Sequence, residues 1–178
     1  MPHTCGRLEL EVYLLRHGEA GKRVPLSVKD NERELTEVGR VEMRKVGEAM
    51  AELDYEFDVV ASSPLKRATQ TAEIVNKALG RKESVELWAE LSPEGSKQVF
   101  YRRLAKLKPG ASVLCVGHEP YLTTAIGEMT SRGGGASPGY RIALKKGGLA
   151  KISVPGFDPR ISGELRWLLT PRQIRKMA

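Results

Sequence analysis

Apolar runs of strand length alternate with helix-like stretches along most of the chain. Leu10 to Leu15 reads as a strand that runs straight into Arg16, His17 and Gly18. A polar, charged stretch follows to about Glu34. Thr36 is a good N-cap, and Glu37 suits the positive end of a helix dipole. Met43, Val46, Met50 and Leu53 then fall on one helical stripe. Asp58 to Ala61 is a second short strand. Ser63-Pro64 has the form of a helix start, with serine as N-cap and proline in the first turn. Leu65, Ala68, Ala72, Val75 and Leu79 form the buried face of that helix, and Gly80 ends it.

The alternation continues through the second half. Val85 to Trp88 reads as a third strand and Ser96 to Leu107 as a helix. Val113 to Val116 is a buried strand that stops at Gly117-His118, and Pro120 opens a helix to about Met129. Ser131 to Gly139 holds consecutive glycines and a proline, the composition of a mobile loop. Arg141 to Leu144 and Leu149 to Val154 flank Gly147-Gly148 and read as a hairpin. Strand–helix alternation followed by a hairpin predicts an α/β fold. It is a three-layer α/β/α sandwich with a mainly parallel sheet and an antiparallel edge.

A length of 178 residues suits one domain spanning 1–178. With 40% hydrophobic and 29% charged residues, the chain is neither disordered nor a membrane protein by composition. No segment approaches the ~20 apolar residues of a membrane span. No signal peptide is legible either, so a cytoplasmic location without membrane association is expected. The two cysteines, Cys5 in the lead and Cys115 in an apolar run, read as an exposed thiol and a buried small hydrophobe. Net charge of +7 favours acidic partners without choosing among them. The basic cluster of Lys97, Arg102, Arg103, Lys106 and Lys108 has helical spacing and reads as a solvated face.

His17 and His118 change the picture. Each follows an apolar strand and neighbours a glycine. In open α/β sheets ligands bind beyond the carboxyl ends of strands, so both side chains are expected in one crevice. The only other histidine, His3, lies in the lead. Arg67 falls in the first turn of the helix after Ser63, where free N–H groups and the dipole already favour anions. Its guanidinium adds a fork that matches phosphate.

These residues resemble a known family. Leu14-Leu15-Arg16-His17-Gly18-Glu19 looks like the signature of the histidine phosphatase, or phosphoglycerate mutase-like, superfamily. The stretch from Ser62 through Arg67 to Ala72 matches its second motif, and Val116-Gly117-His118-Glu119-Pro120 its third, in the right order. Asp30, Arg33-Glu34-Leu35-Thr36, Glu90-Leu91-Ser92-Pro93 and Gly163 to Pro171 are similar to the short phosphohistidine phosphatase (SixA-like) branch. The resemblance covers a core of about residues 10–173.

It implies that His17 is the nucleophile and is phosphorylated during turnover. Arg16, Arg67 and His118 are then the phosphate-binding and catalytic groups, with no metal and no cofactor. Glu90 is the nearest match to the family's general acid. The run Glu19-Ala20-Gly21-Lys22-Arg23 lacks the polar residues, including an asparagine, that mutase-type members carry after the first motif, which argues against mutase activity. The expected partner is protein phosphohistidine on a phosphorylated protein, the activity that of a metal-independent phosphohistidine phosphatase. The alternatives are a small phosphorylated metabolite as phosphomonoester substrate, or a non-catalytic module that holds phosphoproteins or nucleic acid. Nucleic acid is disfavoured because the pocket residues are all present.

Overall fold

The computed structural model describes residues 9–21, 30–131, 142–158 and 160–178. A six-stranded sheet runs in the order β3-β2-β4-β1-β5-β6. Its strands are β1 (Leu10–Arg16), β2 (Val59–Ser62), β3 (Glu86–Leu87), β4 (Ser112–Gly117), β5 (Leu149–Gly156) and β6 (Ser162–Leu169). The helices are α1 (Glu37–Glu52), α2 (Lys66–Ala78), α3 (Lys97–Leu104), α4 (Tyr121–Thr130) and α5 (Pro171–Met177).

β1 and β4 explain the layering. Both are near-continuous apolar runs, as strands covered on two faces should be. Val12 and Leu14 of β1, with Val113 and Cys115 of β4, pack with Phe100 and Leu104 of α3 and with Leu122, Ala125, Ile126 and Met129 of α4. Tyr13, Leu15, Leu114 and Val116 point the other way. They pack with Met43, Val46 and Met50 of α1, Ala68, Ala72 and Val75 of α2, and Ile174 of α5. Each large aliphatic side chain so covered contributes about 1.5–3 kcal/mol of transfer free energy. The expected three layers are present, and Cys115 is fully buried.

The expected caps and boundaries hold for α1, where the Thr36 hydroxyl accepts the Gly39 N–H at 3.0 Å. At α2 the end holds, with Leu79 as C-cap and Gly80 at φ +68° closing the helix, but the start does not. That helix begins at Lys66 with Leu65 as an N-cap that makes no side-chain capping hydrogen bond, so Ser63 is not the cap. Its buried hydroxyl is turned to His118 instead.

The hairpin is also displaced. Residues 142–145 form no strand. β5 pairs antiparallel with β1 on one side and with β6 on the other. The antiparallel strand therefore lies inside the sheet and β6 forms its edge. β6 alternates exposed and half-buried positions and carries charge, so it lacks the apolar run that marks the other strands. The glycine-rich loop lies outside the described residues, apart from Ser131. No helix among the described residues is long and apolar enough to cross a membrane.

Candidate active site

Three strands end side by side. β1 and β4 are parallel neighbours with Arg16 opposite Gly117. The His17 N–H donates to the Gly117 carbonyl at 3.1 Å, extending the ladder one residue past the strand. The next residue of each strand is a histidine, and the two rings stand with centroids 5.1 Å apart. β2 lies on the far side of β4, where the Ser63 N–H donates to the Val116 carbonyl at 2.9 Å. The chain then turns into α2, and Arg67 in its first turn reaches back to His17.

The surroundings of His17 determine which ring nitrogen is free. A carbonyl can only accept and a guanidinium can only donate. His17 Nδ1 lies 2.8 Å from the Gly18 carbonyl, so Nδ1 carries the proton. Arg67 Nε donates to Nε2 at 3.3 Å, so Nε2 presents its lone pair. Burial pushes the imidazole pKa down. The Gly18 carbonyl works against this, while Arg67, Arg16 and Arg33 add to it, and the result is a value of about 4. The ring is therefore neutral at pH 7.

The backbone beneath His17 is pinned from two directions. The Gly18 N–H donates to the Thr71 hydroxyl at 3.1 Å, and that hydroxyl donates to the Arg67 carbonyl at 2.7 Å. On the other side the Gly147 N–H donates to the carbonyls of Arg16 (3.0 Å) and His17 (3.2 Å). Gly147 holds φ +67°, a conformation that glycine adopts without cost. Gly39 of α1 lies so close to the loop after His17 that a Cβ there would meet the Glu19 carbonyl oxygen at 2.1 Å.

Arg67 is 4% exposed, and its three nitrogens have three partners. Besides Nε, Nη1 donates to the Asp30 carbonyl at 2.7 Å and Nη2 to Asp30 Oδ2 at 3.0 Å. Arg33 binds the other oxygen of that carboxylate, with Nε donating to Oδ1 at 3.1 Å and Nη2 at 2.9 Å. Burial alone would push the Asp30 carboxyl up. The charges and hydrogen bonds of Arg67 and Arg33 outweigh it and hold the group below the usual carboxylate range.

His118 is 1% exposed, with Nε2 hydrogen-bonded to the Ser63 hydroxyl at 2.8 Å. Its Nδ1 has no partner among the described residues. Burial, followed by His17 and Arg67, lowers its pKa to about 3. Arg16 donates through Nη1 to the Leu144 carbonyl at 2.8 Å, while its buried Nε has no protein partner among the described residues. His17, His118, Arg16 and Arg67 thus converge as the sequence suggests, and Arg33 joins them.

Glu90 is placed differently. It sits on a 3-10 turn spanning Ala89–Leu91, is buried, and pairs with Arg103 Nε at 2.6 Å. The Arg103 guanidinium lies over the Trp88 ring at 4.9 Å. The Glu90 charge acts on the Cys115 thiol and the Tyr121 hydroxyl. The described contacts of Glu90 thus lie with Arg103 rather than with the histidine pair. A second carboxylate, Glu119, follows His118 directly. Its Oε2 accepts the Thr123 hydroxyl at 2.5 Å, and its buried Oε1 has no partner among the described residues. Burial pushes the Glu119 pKa up, against the pull of Thr123 and Arg16. Among the described residues no group of three or more His, Cys, Asp or Glu is placed to hold a metal ion.

The sequence profile of the histidine phosphatase superfamily (branch 1) matches residues 12–93. An uncharacterized protein of Picosynechococcus sp. (strain PCC 7002) is 34% identical over 168 residues, 92% of this chain and 98% of the relative. The chain belongs to the histidine phosphatase superfamily. Within the superfamily it stands in the SixA-like branch. The phosphohistidine phosphatase SixA of Escherichia coli K12 is 27% identical over 93% of this chain and 97% of that protein. The structure of the protein histidine phosphatase SixA complexed with tungstate superposes with a TM-score of 0.76 at 27% identity, covering 91% of this chain and 97% of that one. The fold is the phosphoglycerate mutase-like one of the superfamily.

Several groups in this superfamily site escape sequence reading. Asp30 and Arg33 are legible as branch-like residues, but nothing in their spacing shows that they meet Arg67. Ser63 looks like a cap, and Thr71 lies in the second motif with no role legible for its hydroxyl. The Gly18 and Leu144 carbonyls carry no side-chain signal at all.

Proposed function

We propose that this chain is a phosphatase that transfers a phosphoryl group from protein phosphohistidine to His17 and then to water. The observation that carries the reading is the state of the His17 ring. Nδ1–H is fixed on the Gly18 carbonyl, and the unprotonated Nε2 faces the guanidinium of Arg67. A neutral imidazole with a directed lone pair is a competent nucleophile without an added base. The SixA relatives, named for phosphohistidine or protein histidine, support the substrate class.

In the first step His17 Nε2 forms a bond to phosphorus as the P–N bond of the substrate breaks. The partner's imidazole, already protonated on its other ring nitrogen, departs with the electron pair of the P–N bond. The His17 ring gains positive charge as it is phosphorylated, and the Nδ1–H bond to Gly18 strengthens accordingly. Arg67 Nε must leave the Nε2 lone pair for a phosphoryl oxygen at the same moment. Arg16 supplies a further donor through its Nε–H, which has no partner among the described residues. His118, whose pKa burial lowers, becomes more basic beside a dianion and can donate to it. In the second step water attacks phosphorus, the P–Nε2 bond breaks, and orthophosphate and neutral His17 remain.

Phosphoryl transfer has little covalent work for a protein, so positioning and charge account for most of the acceleration. A phosphohistidine leaving group needs less protonation than an alkoxide, so the reaction does not depend on a buried acid. The test is a phosphorylated histidine-carrier domain with ³²P on its histidine, mixed with the enzyme and quenched in alkaline denaturant, where phosphoramidates survive. Transient label on His17 and release of orthophosphate are expected. Label on any other residue, or faster turnover of sugar and nucleotide phosphates than of the carrier domain, would replace this reading.

A further inference from the structure

A guanidinium that is 4% exposed needs a negative partner, because an unpaired buried cation is strongly destabilising. In this structure Asp30 supplies it through both the Oδ2 contact at 3.0 Å and the backbone carbonyl contact at 2.7 Å. The same fork is the group that a phosphoryl oxygen would take. Nη2 carries two N–H bonds, but a phosphate oxygen brought onto this fork stands against the Asp30 carboxylate, and two anions side by side repel. Asp30 is built to give way. It lies at the start of a 3-10 turn, Asp30–Glu32, and its side chain is 35% exposed. Arg33 holds its other oxygen and is itself anchored by Nη1 on the Gly21 carbonyl at 2.9 Å. When the carboxylate leaves Arg67 it therefore keeps a cation partner.

We propose that Asp30 is the resident counter-anion of Arg67, that an incoming phosphoryl group displaces its carboxylate, and that this exchange sets how tightly the site holds a phosphate dianion. The inference rests on the reading of this pocket as a phosphoryl site. It makes Asp30 a determinant of affinity and of product release rather than a group that reacts. The Asp30 backbone carbonyl stays on Nη1 in any side-chain variant, so Arg67 keeps one anchor when the carboxylate is removed.

The experiment is calorimetric binding of orthophosphate to the full chain and to Asp30→Asn, which keeps one oxygen acceptor and removes the charge. Asp30→Asn should bind orthophosphate about tenfold tighter, equivalent to about 1.4 kcal/mol. The gain should be larger near about pH 8, where phosphate is mostly dianionic, than near about pH 6, because the repulsion scales with ligand charge. Asp30→Ser provides the same comparison if the asparagine variant does not fold. Unchanged or weaker binding would overturn the inference. So would an equal gain at both pH values, which indicates a loosened loop. If wild type bound no orthophosphate while both proteins were folded, the phosphoryl-site reading itself would fail, and this inference with it.

Discussion

Arg67 Nε and His17 Nε2 are joined by a 3.3 Å hydrogen bond. In the proposed reaction, the cation that faces the phosphoryl group therefore also covers the lone pair that attacks it. His17 follows strand β1 and Arg67 lies in the first turn of helix α2, and the Thr71 hydroxyl ties their backbones together. Replacing His17 with alanine removes the attacking atom of the proposed reaction and a buried ring with two hydrogen bonds. His17→Ala should lose all measurable turnover of an aryl phosphate while keeping its far-UV spectrum, with stability lowered by about 1–3 kcal/mol because the buried Arg67 Nε loses its acceptor. Retention of more than about a tenth of the activity would contradict the assigned nucleophile.

Arg67→Lys tests the fork. Lysine keeps the charge, but it has no Nε–H to share between His17 and a phosphoryl oxygen and no planar pair of donors. Loss of one such transition-state donor costs about 10²–10³ in kcat. The drop should appear in kcat as well as in kcat/KM. A change in KM alone would show that Arg67 binds the ground state and no more.

The two histidines set the response to acid. Their folded values, about 4 for His17 and about 3 for His118, lie below the ordinary 6.5. The neutral rings therefore stabilise the fold fully above about pH 6.5, and that contribution is lost as pH falls towards the folded values. Below about pH 6.5 the unfolded chain binds up to one more proton per ring, so stability should fall by up to about 1.4 kcal/mol per pH unit for each histidine. Denaturant melts between about pH 4 and about pH 7 should show this slope, and the His17→Ala variant should show a shallower one. Corrected for substrate ionisation, the acid limb of kcat/KM should break nearer pH 4 than 6.5. A break at the ordinary imidazole value would mean that burial does not depress His17.

Glu90 invites a different comparison. Its carboxylate is buried against Arg103, so Glu90→Gln should lower stability by about 1 kcal/mol, discounted for the exposed arginine. Turnover of an activated aryl phosphate should stay within about twofold of wild type, because that leaving group departs without help. Loss confined to an alkyl phosphate would give Glu90 the proton-donor role that the family resemblance implies. If Glu119→Gln alone produced that loss, the role would belong to the carboxylate beside His118.

Gly39→Ala probes the support of the nucleophile loop from α1. Its Cβ would meet the Glu19 carbonyl oxygen at 2.1 Å, and backbone cannot swing aside as a side chain can. The variant should lose about 1–3 kcal/mol of stability. Turnover of the folded fraction should also fall, because Glu19 lies two residues after His17. Full stability in chemical denaturation would show that α1 can retreat from the loop.

How much of this was readable from the chain depends on the range of each interaction. Strand runs, the α1 cap and the glycine–histidine steps are local patterns, so sequence alone indicated a layered α/β fold and two histidines at strand ends. The motifs containing Arg16, Arg67 and His118 were legible for the same reason. What only the tertiary structure decided is every pairing between distant segments. Ser63 is polar before a proline and reads as a cap, yet its hydroxyl is drawn to the buried His118 ring, 55 positions away in sequence. β6 was not legible, because an edge strand needs no continuous apolar run to be held. Asp30 lies 37 positions from Arg67, and only the folded chain brings its carboxylate onto the guanidinium. The tautomer of His17 was beyond sequence as well, since it depends on a backbone carbonyl, which every residue carries and which only the fold can aim.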